Sequence, residues 1–244
     1  MKKLLIAATA FALTSGAGFA ETVRIASEGA YAPYNLINDK GELDGYEIDL
    51  GNELCKRAEL TCTWVKNDFD SMIPNLVSAN FDAIMAGMSI TDERKKAIQF
   101  TQNYLPPVPS AYMALTPDVD VKTAVVASQT GTIQASYVAE SGAKLVEFGT
   151  FDEAAAAVRN GEADAVFADK DFLVPLVKES NEGFVWVGAD VPLGDGIGMG
   201  LRQSDTALKD KFDAAITSMK KDGSINTLIE KWFGPEAATF PAQN

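Results

Sequence analysis

The sequence predicts an α/β protein of two lobes with a cleft between them. Strand-like and helix-like segments alternate along most of the chain, the pattern of sheets flanked by helices. The alternation comes in two sets. A Pro-rich stretch, "YLPPVPSAYMALTP", separates them, and a Gly-rich stretch, "LGDGIGMGLR", follows the second. These read as an outward and a return crossing between lobes. With 244 residues, 47% of them hydrophobic and 23% charged, the chain is large enough to bury sizeable cores. On this reading residues 21–107 and 194–244 form the first lobe and 108–193 the second.

Residues 1–20 stand apart. Lys2 and Lys3 form a basic start, Leu4 to Leu13 a short apolar run, and Gly18-Phe-Ala20 puts small residues three and one before Glu21. This is the pattern of an export signal cleaved near Ala20, and the run is too short to span a bilayer. The mature protein is expected to be exported and soluble.

The elements follow in order. "TVRIAS" (Thr22–Ser27) alternates as a strand does, and "NDKGELDGY" holds a Gly-containing turn. "YEIDLGNELCKRA" carries Ile48, Leu50, Leu54 and Ala58 at roughly helical spacing. "CTWVKN" reads as a strand, "FDSMIPNLVSAN" as a helix, and "FDAIMAGM" as a buried strand running into "SITDER". The second set is strand "TAVVAS", a helix after "QTGT", strand "KLVEFG", helix "TFDEAAAAVRNG", strand "ADAVFAD", helix "KDFLVPLVKES" and strand "FVWVGAD". A charged amphipathic segment from Ser204 to Phe233, broken at Asp222-Gly223, closes the chain. Parallel sheets are expected, with ligands beyond the carboxyl ends of their strands.

"SITDER" falls at such an end. Thr91 is a natural helix N-cap, and Asp92 and Glu93 suit the positive end of the helix dipole. Arg94 then occupies the third helical position, where a capping box has Glu or Gln and a cation is disfavoured. An arginine so placed calls for a partner elsewhere.

The formal charge is −13, and −15 once Lys2 and Lys3 leave with the signal. Such a protein repels nucleic acid and anionic lipid and attracts cationic ligands. The sequence contains no histidine, which excludes Ser-His-Asp and Cys-His nucleophilic sites and His-based metal centres. It has no Walker-type phosphate loop. No cofactor, metal or catalytic residue is assigned. Cys55 and Cys62 lie seven apart. In an exported chain this favours a local disulfide over a zinc site, which needs more ligands.

Taken in order, "EGAYAPYN", "GYEIDL", "DFDSMIPNL", "DAIMAGMSITDERKKAIQF", "GDGIGMGLR" and "DGSINTLIEKWFG" resemble the bacterial periplasmic amino-acid-binding proteins of ABC importers, solute-binding family 3. The likeness is greatest to the lysine/arginine/ornithine, histidine and octopine/nopaline binders and covers Thr22 to Gly234. It implies a two-lobed periplasmic-binding-protein (type II) fold, a periplasmic monomer, a cationic L-amino acid or opine as ligand, and an inner-membrane permease as partner. It also implies the Cys55–Cys62 disulfide. Two other functions remain on the same fold: a cyclohexadienyl/arogenate dehydratase-like enzyme and a sensory ligand-binding protein.

The resemblance assigns roles residue by residue. Arg94 looks like the anchor for the ligand α-carboxylate, where a guanidinium offers two parallel hydrogen bonds. Thr132, at a helix start after Gly131, would meet the same carboxylate, and its chemistry equally suits a plain N-cap. Asp169 matches the acceptor of the α-ammonium, and residue chemistry alone also allows it to cap the next helix. Ser89 and the Gly87 carbonyl would hold the ligand backbone. Tyr31 and Phe69 match aromatic walls around the ligand stem, although most aromatics are core. Glu28 corresponds to the acid that receives a basic head group, its alternative being a solvated loop carboxylate, and Gln134 adds a polar contact. Related binders carry serines where Ala86 and Gly87 stand, so Gly87 is expected to open space beside the ligand backbone. Gln129 replaces a commonly apolar residue, and Ile133 a common threonine.

Overall fold

The computed structural model describes residues 22–178 and 181–242, and the expected signal peptide lies outside them. β1 (Thr22–Ser27) is buried from Ile25 to its end. It runs parallel to a neighbour on each side, β5 (Thr61–Lys66) and β6 (Ala83–Ile84). A strand flanked in this way inside a helix-covered sheet has little solvent to face, hence its apolar end. β7 (Ile98–Leu105) and β13 (Ile197–Arg202) complete a five-stranded sheet of order β5-β1-β6-β13-β7.

The second sheet has order β10-β9-β11-β8-β12, formed by β8 (Pro109–Ala114), β9 (Val125–Gln129), β10 (Lys144–Phe148), β11 (Ala165–Asp169) and β12 (Val185–Pro192). Its central strand β11 is buried throughout. Neither sheet is purely parallel, which corrects the expectation from alternation. β13 runs antiparallel to β6 and β7, and β8 runs antiparallel to β11 and β12. The reason is that strands joined by a short crossing enter the two sheets without an intervening helix, so no right-handed βαβ unit fixes their direction.

Other readings need adjustment. "FDAIMAGM" gives only two strand residues, Ala83–Ile84, before the chain turns into the loop that carries Gly87 and Ser89. The supposed turn region before the first helix contains a small antiparallel sheet, β2 (Ala30–Tyr31), β3 (Asn35–Ile37) and β4 (Leu43–Asp44). Most of the Pro-rich stretch is strand, and only the residues between Leu105 and Pro109 link the sheets. Most of the Gly-rich stretch is also strand, because β13 lies inside the first sheet.

Helices cover the sheets. In the first half of the chain they are α1 (Tyr46–Arg57), α2 (Met72–Val77) and the single turn α3 (Asp92–Lys95). The Cys55–Cys62 disulfide joins α1 to β5. The second half adds α4 (Ile133–Ser141), α5 (Phe151–Arg159), α6 (Lys170–Lys178), α7 (Thr206–Asp222) and α8 (Ser224–Phe233). α7 and α8 bury Phe212, Ile216, Met219, Ile225 and Ile229, a helical spacing that defines one apolar face. Asp82 fastens β1 to β13 by ion pairs to Arg24 and Arg202, each at 3.0 Å. Those two cations hold its carboxyl down at about 2 against the opposing effect of burial.

The return crossing packs closely on the outward one. Gly196 has φ +90°, and a Cβ there would lie 2.6 Å from the Leu105 carbonyl oxygen. Gly196→Ala is therefore expected to cost about 1–3 kcal/mol in backbone strain and displacement. A lowered urea midpoint would register this, and an unchanged midpoint would mean that the crossings separate freely.

Candidate ligand-binding cleft

Four strand ends converge between the sheets. Beyond β1 lies Glu28, beyond β6 the loop from Ala86 to Ser89, at the end of β9 Gln129 and then Thr132, and at the end of β11 Asp169. Placing a site at the carboxyl ends of parallel strands is the general rule for open α/β sheets. All nine residues singled out in the sequence line one narrow cavity: Glu28, Tyr31, Phe69, Gly87, Ser89, Arg94, Thr132, Gln134 and Asp169. Ala86, Gln129, Ile133 and Phe151 complete its wall.

Arg94 is oriented by its short helix. Thr91 caps α3 by accepting from the Arg94 backbone N–H at 3.2 Å. Because α3 is a single turn, its dipole is small, so the misfit inferred for Arg94 carries less weight than a longer helix would give it. The side chain turns into the cleft. Its Nη1 donates to the Ser89 carbonyl at 2.9 Å and its Nη2 to the Gly131 carbonyl at 3.1 Å. The guanidinium sits 5.5 Å from the Phe69 ring centroid, within cation–π range. Burial lowers its pKa to about 10, with the Asp169 charge opposing, so it is a cation at neutral pH.

Asp169 accepts from the Tyr31 hydroxyl at 2.7 Å and from Gln134 Nε2 at 2.8 Å. Burial pushes its pKa up to about 6 against the pull of the Tyr31 hydrogen bond. Glu28 is 3% exposed, which excludes a solvated loop carboxylate. Burial raises it to about 7, partly offset by a 2.5 Å hydrogen bond from Gln129 Nε2. The bonds Tyr31–Asp169, Gln129–Glu28 and Arg94–Gly131 all run from one sheet's residues to the other's, so the cleft is closed.

Tyr31 is both wall and core. It stacks on Phe172 at 4.6 Å, Tyr34 at 4.9 Å and Phe151 at 5.2 Å, and it also lines the cavity. Gly87 does not leave the open space expected of it. A Cβ at Gly87, whose φ is +63°, would lie 3.0 Å from Tyr31 Cδ1, so the tyrosine ring occupies that space. Thr132 caps α4, accepting from Ala135 N at 3.1 Å. Its hydroxyl proton goes to the Gln129 carbonyl at 2.7 Å. Phe151 was not foreseen, because an aromatic opening a helix after a Thr cap reads as ordinary core.

Glu47 is a second residue whose importance the sequence hid. It reads as an acid in the first turn of α1, where carboxylates are common on the surface. Instead it is fully buried. Its Oε1 accepts from Gly87 N at 2.7 Å and from the Tyr104 hydroxyl, and its Oε2 accepts from Asn35 Nδ2 at 2.8 Å. Asn35 Oδ1 in turn accepts from Gly29 N at 2.7 Å. One carboxylate and one amide thus pin the two loops that carry Glu28, Tyr31, Gly87 and Ser89.

A closed cleft between two α/β sheets joined by two crossings, lined from both sides by charged and aromatic groups, defines a two-lobed binding protein of the periplasmic type II fold. The profile of the bacterial extracellular solute-binding proteins, family 3, matches residues 23–235, and the chain belongs to that family. The putative ABC transporter arginine-binding protein 2 of Escherichia coli (strain K12) is 34% identical over 96% of this chain and 99% of its own length. The lysine/arginine/ornithine-binding periplasmic protein of the same organism is 33% identical over 96% and 97%. A crystal structure of a periplasmic His/Glu/Gln/Arg/opine family-binding protein from Silicibacter pomeroyi in complex with lysine superposes with a TM-score of 0.88. It is 66% identical and covers 89% of this chain and 100% of its own. Among the described residues no helix is long and apolar enough to cross a membrane.

Glu47→Leu would leave Gly87 N–H, Asn35 Nδ2 and the Tyr104 hydroxyl without their acceptor. Each orphaned donor costs about 1–3 kcal/mol, so a loss of at least ~3 kcal/mol is expected in urea denaturation. A loss under 1 kcal/mol would show that water or neighbouring groups take over these bonds.

Proposed function

We propose that this protein is the periplasmic substrate-binding component of an ABC importer and that its ligand is an L-amino acid with a cationic side chain. The charge balance of the cleft carries this reading: Arg94, Glu28 and Asp169 place one cation and two carboxylates around a single cavity. A basic amino acid offers the complement, one carboxylate and two cations. A neutral amino acid would leave one buried carboxylate without a charged partner, which is costly. The E. coli relatives named for arginine and for lysine/arginine/ornithine, and the lysine held by the S. pomeroyi protein, support the same ligand class.

Each group then has a task. Arg94 turns its fork from the Ser89 and Gly131 carbonyls to the α-carboxylate, which the Thr132 backbone N–H meets from the N-terminus of α4. Asp169 and the Gly87 carbonyl take the α-ammonium, with Ser89 and Gln134 alongside. Tyr31 and Phe69 flank the aliphatic stem, and Glu28 receives the head group. The Tyr31 ring over Gly87 leaves little room beside the α-nitrogen, which favours a plain amino acid over an arginine-derived opine. The protein acts by binding and not by catalysis, because carboxylates paired with ammonium groups stay ionised and have no proton to give.

Residues 21–107 with 194–244 and residues 108–193 act as the two moving lobes. Arg94 and Glu28 lie in one, Thr132 and Asp169 in the other, so a ligand that touches both favours closure by its differential contacts. The closed monomer would dock on a membrane permease in the periplasm. Its charge of −15 draws cations and keeps nucleic acid away.

A thermal-shift panel tests the ligand class. Arginine, lysine and ornithine are expected to raise the melting temperature and acidic amino acids to leave it unchanged. Stabilisation by acidic ligands alone would overturn the reading. Arg94→Ala is expected to lose ~2–5 kcal/mol of ligand affinity while its melting temperature without ligand stays near wild type. Unchanged affinity by calorimetry would remove Arg94 from the site.

The raised carboxylates set a pH dependence. Burial lifts Glu28 from 4.5 to about 7 and Asp169 from 3.8 to about 6, so the folded protein holds protons that the unfolded chain releases. Their contribution to stability is therefore full at acid pH and is lost as pH rises through about 6 and then about 7. A cationic ligand makes the opposite demand, because it pairs with the ionised forms. Its dissociation constant is expected to be at least roughly tenfold weaker at about pH 5.5 than at about pH 8. A flat profile would remove Glu28 from the head-group role.

A further inference from the structure

Gln129 stands where related sequences commonly carry an apolar residue, and nothing in the functional reading requires an amide there. Yet Gln129 is 2% exposed and spans the cleft. Its Nε2 donates to Glu28 Oε1 at 2.5 Å and to the Gly149 carbonyl at 2.9 Å. Among the described residues this is the one hydrogen bond to the Glu28 side chain, and none of their cations forms an ion pair with it. The titratable groups facing Glu28, namely Asp68, Glu47 and Asp152, are all carboxyls and add repulsion.

The two anchors of the amide differ. Gly149 precedes Thr150, the cap of α5, and directly follows β10, which pairs with β9 and places Phe148 opposite Gln129. That bond holds the loop before Phe151, which stacks on Tyr31. The bond to Glu28 forms only when the lobes meet. Gln129 therefore carries a neutral donor from the second lobe to the buried acid of the first each time the cleft closes.

We propose that Gln129 is a specificity-determining residue that widens the ligand range of this cleft to amino acids whose side chains do not fully pair Glu28. The inference rests on the functional reading above. A long cation such as the guanidinium of arginine brings several donors to Glu28 and has little need of the amide. A shorter ammonium such as that of ornithine, or the neutral amide of glutamine, satisfies the acid less well. With Gln129 in place the carboxylate keeps a partner when such a ligand binds. With an apolar residue in its place, closure over the same ligand would bury the acid poorly paired.

The test compares wild type with Gln129→Met, which keeps the length of the side chain and removes the amide, and with Gln129→Leu as a second apolar variant. Calorimetry with L-arginine, L-ornithine and L-glutamine supplies the readout, with the melting temperature as a check on folding. Wild type is expected to bind arginine and ornithine, and glutamine more weakly. The substitutions are expected to weaken ornithine and glutamine at least roughly tenfold while arginine changes less than about threefold. An equal loss for all three ligands would assign Gln129 to structure alone and overturn the proposal. Unchanged affinities, or a wild type that binds arginine but not ornithine, would overturn it too. A wild type that binds no basic amino acid would instead refute the functional reading from which the inference starts.

Discussion

A buried charge needs a partner, and the cleft is one cation short. Two carboxylates, Glu28 and Asp169, and one guanidinium, Arg94, are enclosed together, each hydrogen-bonded to neutral groups. Much of the rest follows from keeping these groups in place. The parallel strands β1, β6, β9 and β11 are apolar because they are covered on both faces, and they end together at the cleft. The loops beyond them cannot be held by apolar packing alone, since they must present polar groups to a ligand. Hydrogen bonds hold them instead: Glu47 and Asn35 on one side, and the Thr132 and Thr150 caps on the other.

Most of this was legible in the sequence because local chemistry and fold agreed. Alternating apolar runs located the main strands and long helices, and caps such as Thr91, Thr132 and Thr150 marked helix starts. The candidate site residues were singled out because ordered motifs placed them, and all nine line one cavity. What could not be read depended on partners distant in sequence. Glu47 looks like a surface acid until Tyr104, Gly87 and Asn35 are brought to it. The direction of β13 is invisible in "GIGMGLR", because pairing, not composition, sets it.

Two local arguments about candidate residues needed revision. Arg94 was singled out by a helix-dipole misfit, but a one-turn helix has little dipole to offend. What singles it out in three dimensions is that its donors end on backbone carbonyls, Ser89 and Gly131, with no carboxylate among the described residues in ion-pair contact. Gly87 was read as a source of space, yet the missing side chain lets Tyr31 settle closer. A small residue in a cleft serves whichever neighbour arrives first.

The position of β13 bears on how the chain is made. It lies between β6 and β7, although it follows β7 by about ninety residues and the whole second sheet intervenes. During synthesis β7 therefore has no strand to pair with until the C-terminal third has emerged. The first sheet cannot close early, and its contacts are of long sequence range, which slows folding. A chain of this topology completes its first sheet only after the whole of the second has been made.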